Sequence, residues 1–210
     1  MTRRSVGKPK TQNPTKRSPP SQSASSLRII GGKWRGRKLD FMEVNGLRPT
    51  GDRVRETLFN WLQFEVPGAN VLDLYSGSGA LGFEALSRGA NQVVMLELDN
   101  QVCRKLGAHL QELGCSNGKI IATDTLAWLD AVDIAQTGTF DIIFCDPPFA
   151  KDLWQRTLEI IEQKQLLKEE GFLYLEAPKN YNLVLSSYWQ IHRQKSAGQV
   201  EFYLLSAAAH

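Results

Sequence analysis

Apolar and polar positions along this chain keep two rhythms. Val71–Tyr75, Val93–Leu98, Lys119–Ala122, Phe140–Asp146 and Phe172–Ala177 are short, largely apolar runs that predict strands. Between them, apolar residues recur every three or four positions. This predicts helices from the Gly-rich turn after Tyr75 through about Arg88, from Asn100 to about Leu113, over Thr125–Val132 and over Asp152–Gln165. Repeated strand–helix units imply a parallel, doubly wound α/β sheet with its ligand at the strands' carboxyl ends. The ending differs: Trp189–Lys195 and Gln199–Leu205 flank Ser196-Ala197-Gly198, which reads as an antiparallel hairpin. Upstream, Val54, Leu58, Trp61 and Leu62 repeat at helical spacing behind Thr50 or Asp52 as N-cap, and Pro67-Gly68 closes that helix. Before it, Leu27–Ile30, Gly31-Gly32 and a basic run to Leu39 predict a strand, a turn and a second strand. Residues 1–26 are mostly Lys, Arg, Ser, Pro, Thr and Gln, too polar to offset the entropy of ordering. The expected organisation is a disordered tail over 1–26, a basic hairpin over 27–46 and an α/β domain over 47–210.

Charge sharpens that division. The 210 residues carry 25 Lys and Arg against 22 Asp and Glu, yet residues 1–40 hold eleven of the cations and a single acid, Asp40. An acidic body with a basic front end points to an anionic partner such as nucleic acid. The hairpin's cations, Arg28, Lys33, Arg35, Arg37 and Lys38, interleave with Trp34. They read as an RNA-binding flap, or more plainly as a solvated edge hairpin. Arg48, Arg53 and Arg55 join them as candidate phosphate contacts, with Arg193 and Lys195 on the final hairpin behind.

Other classes drop out. No apolar run approaches the roughly 18–20 residues that span a bilayer, and the tail has no signal-peptide core. Its composition mimics an organellar transit peptide without the amphipathic face. Cys103, Cys115 and Cys145 form no close pair and no metal spacing. A cytoplasmic protein without bound metal is expected.

Gly77-Ser78-Gly79-Ala80-Leu81-Gly82 is a G-x-G-x-x-G between a strand and a helix, with Glu97 ending the next strand. The glycines let the backbone approach a ligand and the acid can take two ribose hydroxyls. A dinucleotide or S-adenosylmethionine fits equally. Asp73 separates the two, because a carboxylate near the strand tip suits the ammonium of a methionine moiety and repels a pyrophosphate. It could also simply cap the following turn. Asp124 could reach an adenine amine or cap the helix at Thr125, and Asp99 reads as an N-cap.

Asp146-Pro147-Pro148-Phe149 follows the fourth strand. Two prolines donate no backbone hydrogen bonds and hold the chain extended, presenting the Asp146 carboxylate and Pro147 carbonyl as acceptors beside the flat ring of Phe149. Such a group is a receptor for a planar ring bearing an exocyclic NH₂.

VLDLYSGSGALGFEAL, the acid in VVMLELD, and FDIIFCDPPF together resemble a class I S-adenosylmethionine-dependent methyltransferase of the amino-methylating group. RIIGGKWRGRKL, GLRPTGDRVRETLFNWL and AGQVEFYLL narrow the resemblance to the RsmD family of bacterial 16S ribosomal RNA guanine-N2 methyltransferases, across about residues 27–205. The resemblance implies a Rossmann-like, mostly parallel sheet with S-adenosyl-L-methionine as cofactor. Asp73, Ser76, Gly77 and Gly79 would hold its methionine end, Glu97 its ribose, and Asp124 and Thr125 its adenine. Asp146 and Pro147 would bind the target amine and Phe149 would stack on the guanine. The partner would be ribosomal RNA, within an assembling small subunit, met by a monomer. Competing readings are a DNA adenine or protein glutamine methyltransferase, a nicotinamide oxidoreductase and a non-catalytic ribosome-binding factor.

Overall fold

The computed structural model describes residues 25–41 and 51–208. The first segment forms β1 (Ser25–Arg28), a 3-10 turn (Gly32–Trp34) and β2 (Lys38–Phe41), the two strands pairing antiparallel. The second opens with α1 (Asp52–Trp61) and continues β3 (Asn70–Asp73), α2 (Ala80–Ser87), β4 (Gln92–Glu97) and α3 (Asn100–Glu112). Then come β5 (Gly118–Ala122), α4 (Thr125–Ala131), α5 (Ile134–Thr137), β6 (Phe140–Cys145), α6 (Trp154–Lys164), β7 (Leu167–Pro178), β8 (Trp189–Ala197) and β9 (Val200–Ala207). Seven strands form one sheet in the order β5-β4-β3-β6-β7-β9-β8. The first five are mutually parallel, and β9 runs antiparallel to both its neighbours. This is the mostly parallel sheet with a terminal antiparallel hairpin that the pattern predicts.

Side-chain alternation sends the central strands into two cores. Val71, Met95 and Phe144 pack with Leu58, Phe59 and Phe83 on the face of α1, α2 and α3. Leu72, Leu96 and Ile143 pack with Leu129, Trp154 and Leu158 on the face of α4 and α6. Both faces of these strands are covered, which is why their sequences read as continuous apolar runs.

Several expectations need correction. The basic run after Gly31-Gly32 enters the 3-10 turn, and the second strand starts only at Lys38. Gly32 adopts φ +74, and a Cβ there would stand 1.9 Å from the Ser87 carbonyl oxygen. The sharp turn therefore exists to bring this backbone onto α2. Ser25 and Ser26, assigned to the tail, lie in β1. The N-cap of α1 is Gly51, the helix ends at Trp61, and Asp52 is its first residue; Thr50 and the 46/47 boundary lie outside the described residues. β7 starts five residues before Phe172, because exposed Lys168, Glu169 and Glu170 interrupt its apolar pattern.

The β1–β2 flap is clamped to the body. Glu84 of α2, fully buried, accepts the N–H groups of Ile30 and Gly31 at 2.8 Å each. Ser87 donates to the Gly31 carbonyl at 2.6 Å and accepts from the Trp34 N–H at 2.9 Å. On α3, Lys105 pairs with Asp40 and buried His109 donates to the Asp40 carbonyl, both at 2.8 Å.

Candidate active site

The strand order reverses between β3 and β6, which pair directly with Asp73 opposite Phe144. A crevice outside such a reversal is where doubly wound sheets bind ligands. Asp73 closes β3 at 3% exposure and points to the α2 face, accepting the Gly82 N–H at 3.1 Å. Burial raises its pKa to about 7, and the Gly82 hydrogen bond offsets only part of that effect. A Cβ on Gly82 would stand 2.7 Å from the Met95 sulfur, so the third glycine of the motif is a packing requirement. Gly77 and Gly79 adopt φ +48 and +77, values suited to glycine, and the Gly79 N–H closes the loop onto the Ser76 carbonyl at 2.7 Å. Ser76 is buried and its hydroxyl bonds the Asp73 carbonyl.

Glu97, half-buried at the end of β4, receives the Gly77 N–H at 2.9 Å and the Asp99 N–H at 2.8 Å on its two oxygens. Each oxygen keeps a second lone pair for a ligand. Asp99 caps α3 as its spacing suggests, accepting from Gln101 and Val102. Asp124 is exposed and caps α4 through the Ala127 N–H at 3.0 Å. Thr125 is buried, its hydroxyl donating to the Leu74 carbonyl at 2.5 Å. Thr125 thus ties the start of α4 to the tip of β3.

Asp146 follows β6 directly, half-buried, and its charge adds to burial in raising the Cys145 thiol. Pro147 is buried, Pro148 extended at ψ 123, and Phe149 opens a short 3-10 turn with 44% of its surface exposed. Behind Phe149 stand two rings that motif reading passed over. Trp154 lies 5.7 Å from Phe149 and Tyr181 4.6 Å from Trp154, centroid to centroid. The Trp154 indole N–H donates to the Glu176 carbonyl at 2.7 Å, and the Tyr181 hydroxyl donates to Asp152 at 2.7 Å. The only sequence signal for them was aromatic side chains soon after the tetrapeptide and after β7.

The cations divide. Lys33, Arg35, Arg37 and Lys38 are exposed on the flap, with Arg37 3.3 Å from Glu112. Arg28 is exposed 3.9 Å from Asp52, and Arg53 is exposed on α1. Arg48 lies outside the described residues. Arg55 is a correction: it is fully buried, 2.6 Å from Asp52 and 3.6 Å from Glu84, and donates to the Arg28 carbonyl. It fastens α1 to the flap and presents nothing to a phosphate. Trp34 likewise turns inward, with Lys33 over its ring at 5.6 Å. Among the described residues, no cluster of three or more His, Cys, Asp or Glu is arranged to hold a metal ion. None of their helices is long and apolar enough to cross a membrane.

The family described as Conserved hypothetical protein 95 matches residues 27–206. Ribosomal RNA small subunit methyltransferase D of Escherichia coli (strain K12) is 42% identical over 193 residues, covering 90% of this chain and 95% of that protein. The protein of the same name from Haemophilus influenzae is 41% identical over 180 residues, covering 85% and 92%. The chain belongs to the RsmD family. The solved structure of Escherichia coli yhhF superposes with a TM-score of 0.77 at 41% identity, over 89% of this chain and 100% of that one. The RsmD-family match takes in the flap, the seven-stranded sheet and the final hairpin together.

Proposed function

We propose that this RsmD-family protein transfers a methyl group from S-adenosylmethionine to the exocyclic N2 amine of a guanine in small-subunit ribosomal RNA, in the cytoplasm. The observation that carries the reading is the meeting of Asp73 and Asp146-Pro147-Pro148-Phe149 at the ends of two adjacent strands. Support for the cofactor comes from its binding groups. Asp73 is a buried carboxylate with no cationic side chain among the groups acting on it, which suits an ammonium. The Gly77–Gly79 backbone and Glu97 offer a close approach and a diol acceptor. When bound, S-adenosylmethionine supplies an electrophilic methyl on a sulfonium. The remaining work belongs to the chain.

The N2 lone pair of guanine is delocalised into the ring and nucleophilically weak. The Asp146 carboxylate and the Pro147 carbonyl would accept its two hydrogens, drawing the nitrogen towards tetrahedral geometry and localising that pair. Phe149 would stack on the purine, worth about 1–3 kcal/mol per base, and Trp154 behind it restrains the plate. Holding the amine in line converts an encounter into a positioned reaction. Positive charge gathers on the nitrogen during transfer, and the Asp146 carboxylate would stabilise it. A paired, stacked guanine cannot reach such a rim, so the target must be unpaired or flipped.

Mapping of modified nucleosides in 16S ribosomal RNA tests this. A strain lacking the gene should lose one N2-methylguanosine that plasmid-borne protein restores. Retention of every methylguanosine, or restoration by an Asp146→Ala protein, overturns the reading.

A further inference from the structure

A cavity of about 330 Å³ lies between α1 and the turn joining β8 to β9. Arg53 and Thr57 line it from the helix, and Lys195, Ala197, Gly198 and Phe202 from the hairpin. Its position along the sheet is informative. β9 begins opposite the end of β7, with Val200 beside Pro178, and the Lys179 N–H donates to the Gln199 carbonyl at 2.7 Å. The β8–β9 turn therefore stands on the same carboxyl rim as Asp146. β9 is two strands from β6 in the sheet, a lateral offset of about 10 Å. A stacked strand covers that in about three nucleotide steps at 3.4 Å each.

The register sorts the charges. Lys195 pairs with Phe202 and Arg193 with Leu204, so both cations share the face that Phe202 presents to Trp61 of α1. Glu201, the only acid in either strand, pairs with Ser196 on the opposite face and bonds its hydroxyl and that of Tyr203. Ion pairs among the described residues involve neither Arg53 nor Lys195. Two exposed cations with no carboxylate within 4 Å among the described residues, lining one groove with an apolar wall, match a sugar–phosphate with its base.

We infer that this groove holds a nucleotide flanking the target guanine, with Arg53 and Lys195 on its phosphate and the base or sugar against Ala197 and Phe202. The inference rests on the RNA-methylating reading above and adds a second hold on the strand, separate from the flap. The flap's turn stands by Ser87 and Glu112, at the ends of α2 and α3 remote from the rim, so the groove is the hold nearer Asp146.

The test uses full-length protein with small ribosomal subunits, and with the 16S ribosomal RNA extracted from them, from a strain lacking the gene. Lys195→Glu should raise the RNA KM about tenfold and lower the slope of log KM against log salt by about 0.7. kcat should stay within about twofold, and S-adenosylhomocysteine affinity by calorimetry should be unchanged. Ala197→Trp fills the groove without altering charge and should raise KM with the salt slope intact. Photocrosslinking from 4-thiouridine placed one to three residues from the methylated guanine should label the β8–β9 turn. Unchanged KM in both variants, with no crosslink to the hairpin, overturns the groove while methylation by the parent protein stands. Failure of the parent to methylate any guanine N2 sinks the functional reading itself.

Discussion

At Asp73, burial removes the water that would stabilise a carboxylate, and the pKa rises to about 7 from the ordinary 3.8. Between those values the folded protein holds a proton that the unfolded chain has released. Its contribution to unliganded stability is therefore full near pH 4 and is lost as pH rises through 7. On the proposed reading Asp73 holds an ammonium, which needs the ionised form, so cofactor affinity should climb over the same interval. Asp73→Asn should leave unliganded stability near pH 4 almost unchanged and raise the thermal midpoint by several degrees at pH 8. It should weaken S-adenosylhomocysteine about tenfold or more, the loss of a charged hydrogen bond. Calorimetry at both pH values checks this, and a midpoint difference constant from pH 4 to 8 excludes the buried charge as its cause. Asp146 is the proposed acceptor for the target amine. Asp146→Ala should cut methyl transfer by about 10²–10³-fold with S-adenosylhomocysteine affinity within twofold. Parallel loss of both would move Asp146 into the cofactor site. The places of these two acids at the tips of β3 and β6 were legible from the strand pattern. Arg55 was not read correctly, although it adjoins Val54 and precedes Leu58 and Phe59 by three and four, on the buried stripe of α1.

Among the elements, the central strands were the most legible, since burial on both faces leaves little but apolar side chains in β3, β4 and β6. The flap was legible as a hairpin and misread in its turn. Gly31-Gly32 between apolar and basic runs signals reversal, but the conformation is decided by a contact 55 residues distant, where Gly32 meets Ser87. No local pattern encodes that. The same contact makes the flap testable as a unit. Gly32→Ala combines a left-handed φ with a clash against backbone, so β1 and β2 should detach from α2 while the seven-stranded sheet persists. Limited trypsin digestion should then cut after Lys33, Arg35 or Arg37 at least about tenfold faster than in the parent. Equal rates would mean that Ser87 and Glu84 do not hold the flap.

Over the whole molecule, charge and chemistry are set apart and then joined. Residues 1–40 carry a net +10 and the remainder −7, and the rim holds Asp73, Glu97, Asp124 and Asp146. A polyanion approaching that rim alone meets repulsion, which on the proposed reading the cations offset. The structure stations Lys33, Arg35 and Arg37 by the C-terminal ends of α2 and α3, where Gly32 meets Ser87 and Arg37 meets Glu112. Polyelectrolyte binding releases one set of counterions per neutralised phosphate, with a slope of about −0.7 per contact on single strands. Lys33→Glu combined with Arg35→Glu removes two contacts, so the slope of log Kd against log salt should flatten by about 1.4. Affinity for 16S ribosomal RNA should fall by at least about tenfold at physiological salt. Neither residue touches the rim, so kcat at saturating RNA should remain within about twofold. Filter binding across a salt series gives the slope, and methyl incorporation gives kcat. A slope unchanged by the double reversal would take the flap out of the interface and leave the α1–hairpin groove to hold the strand.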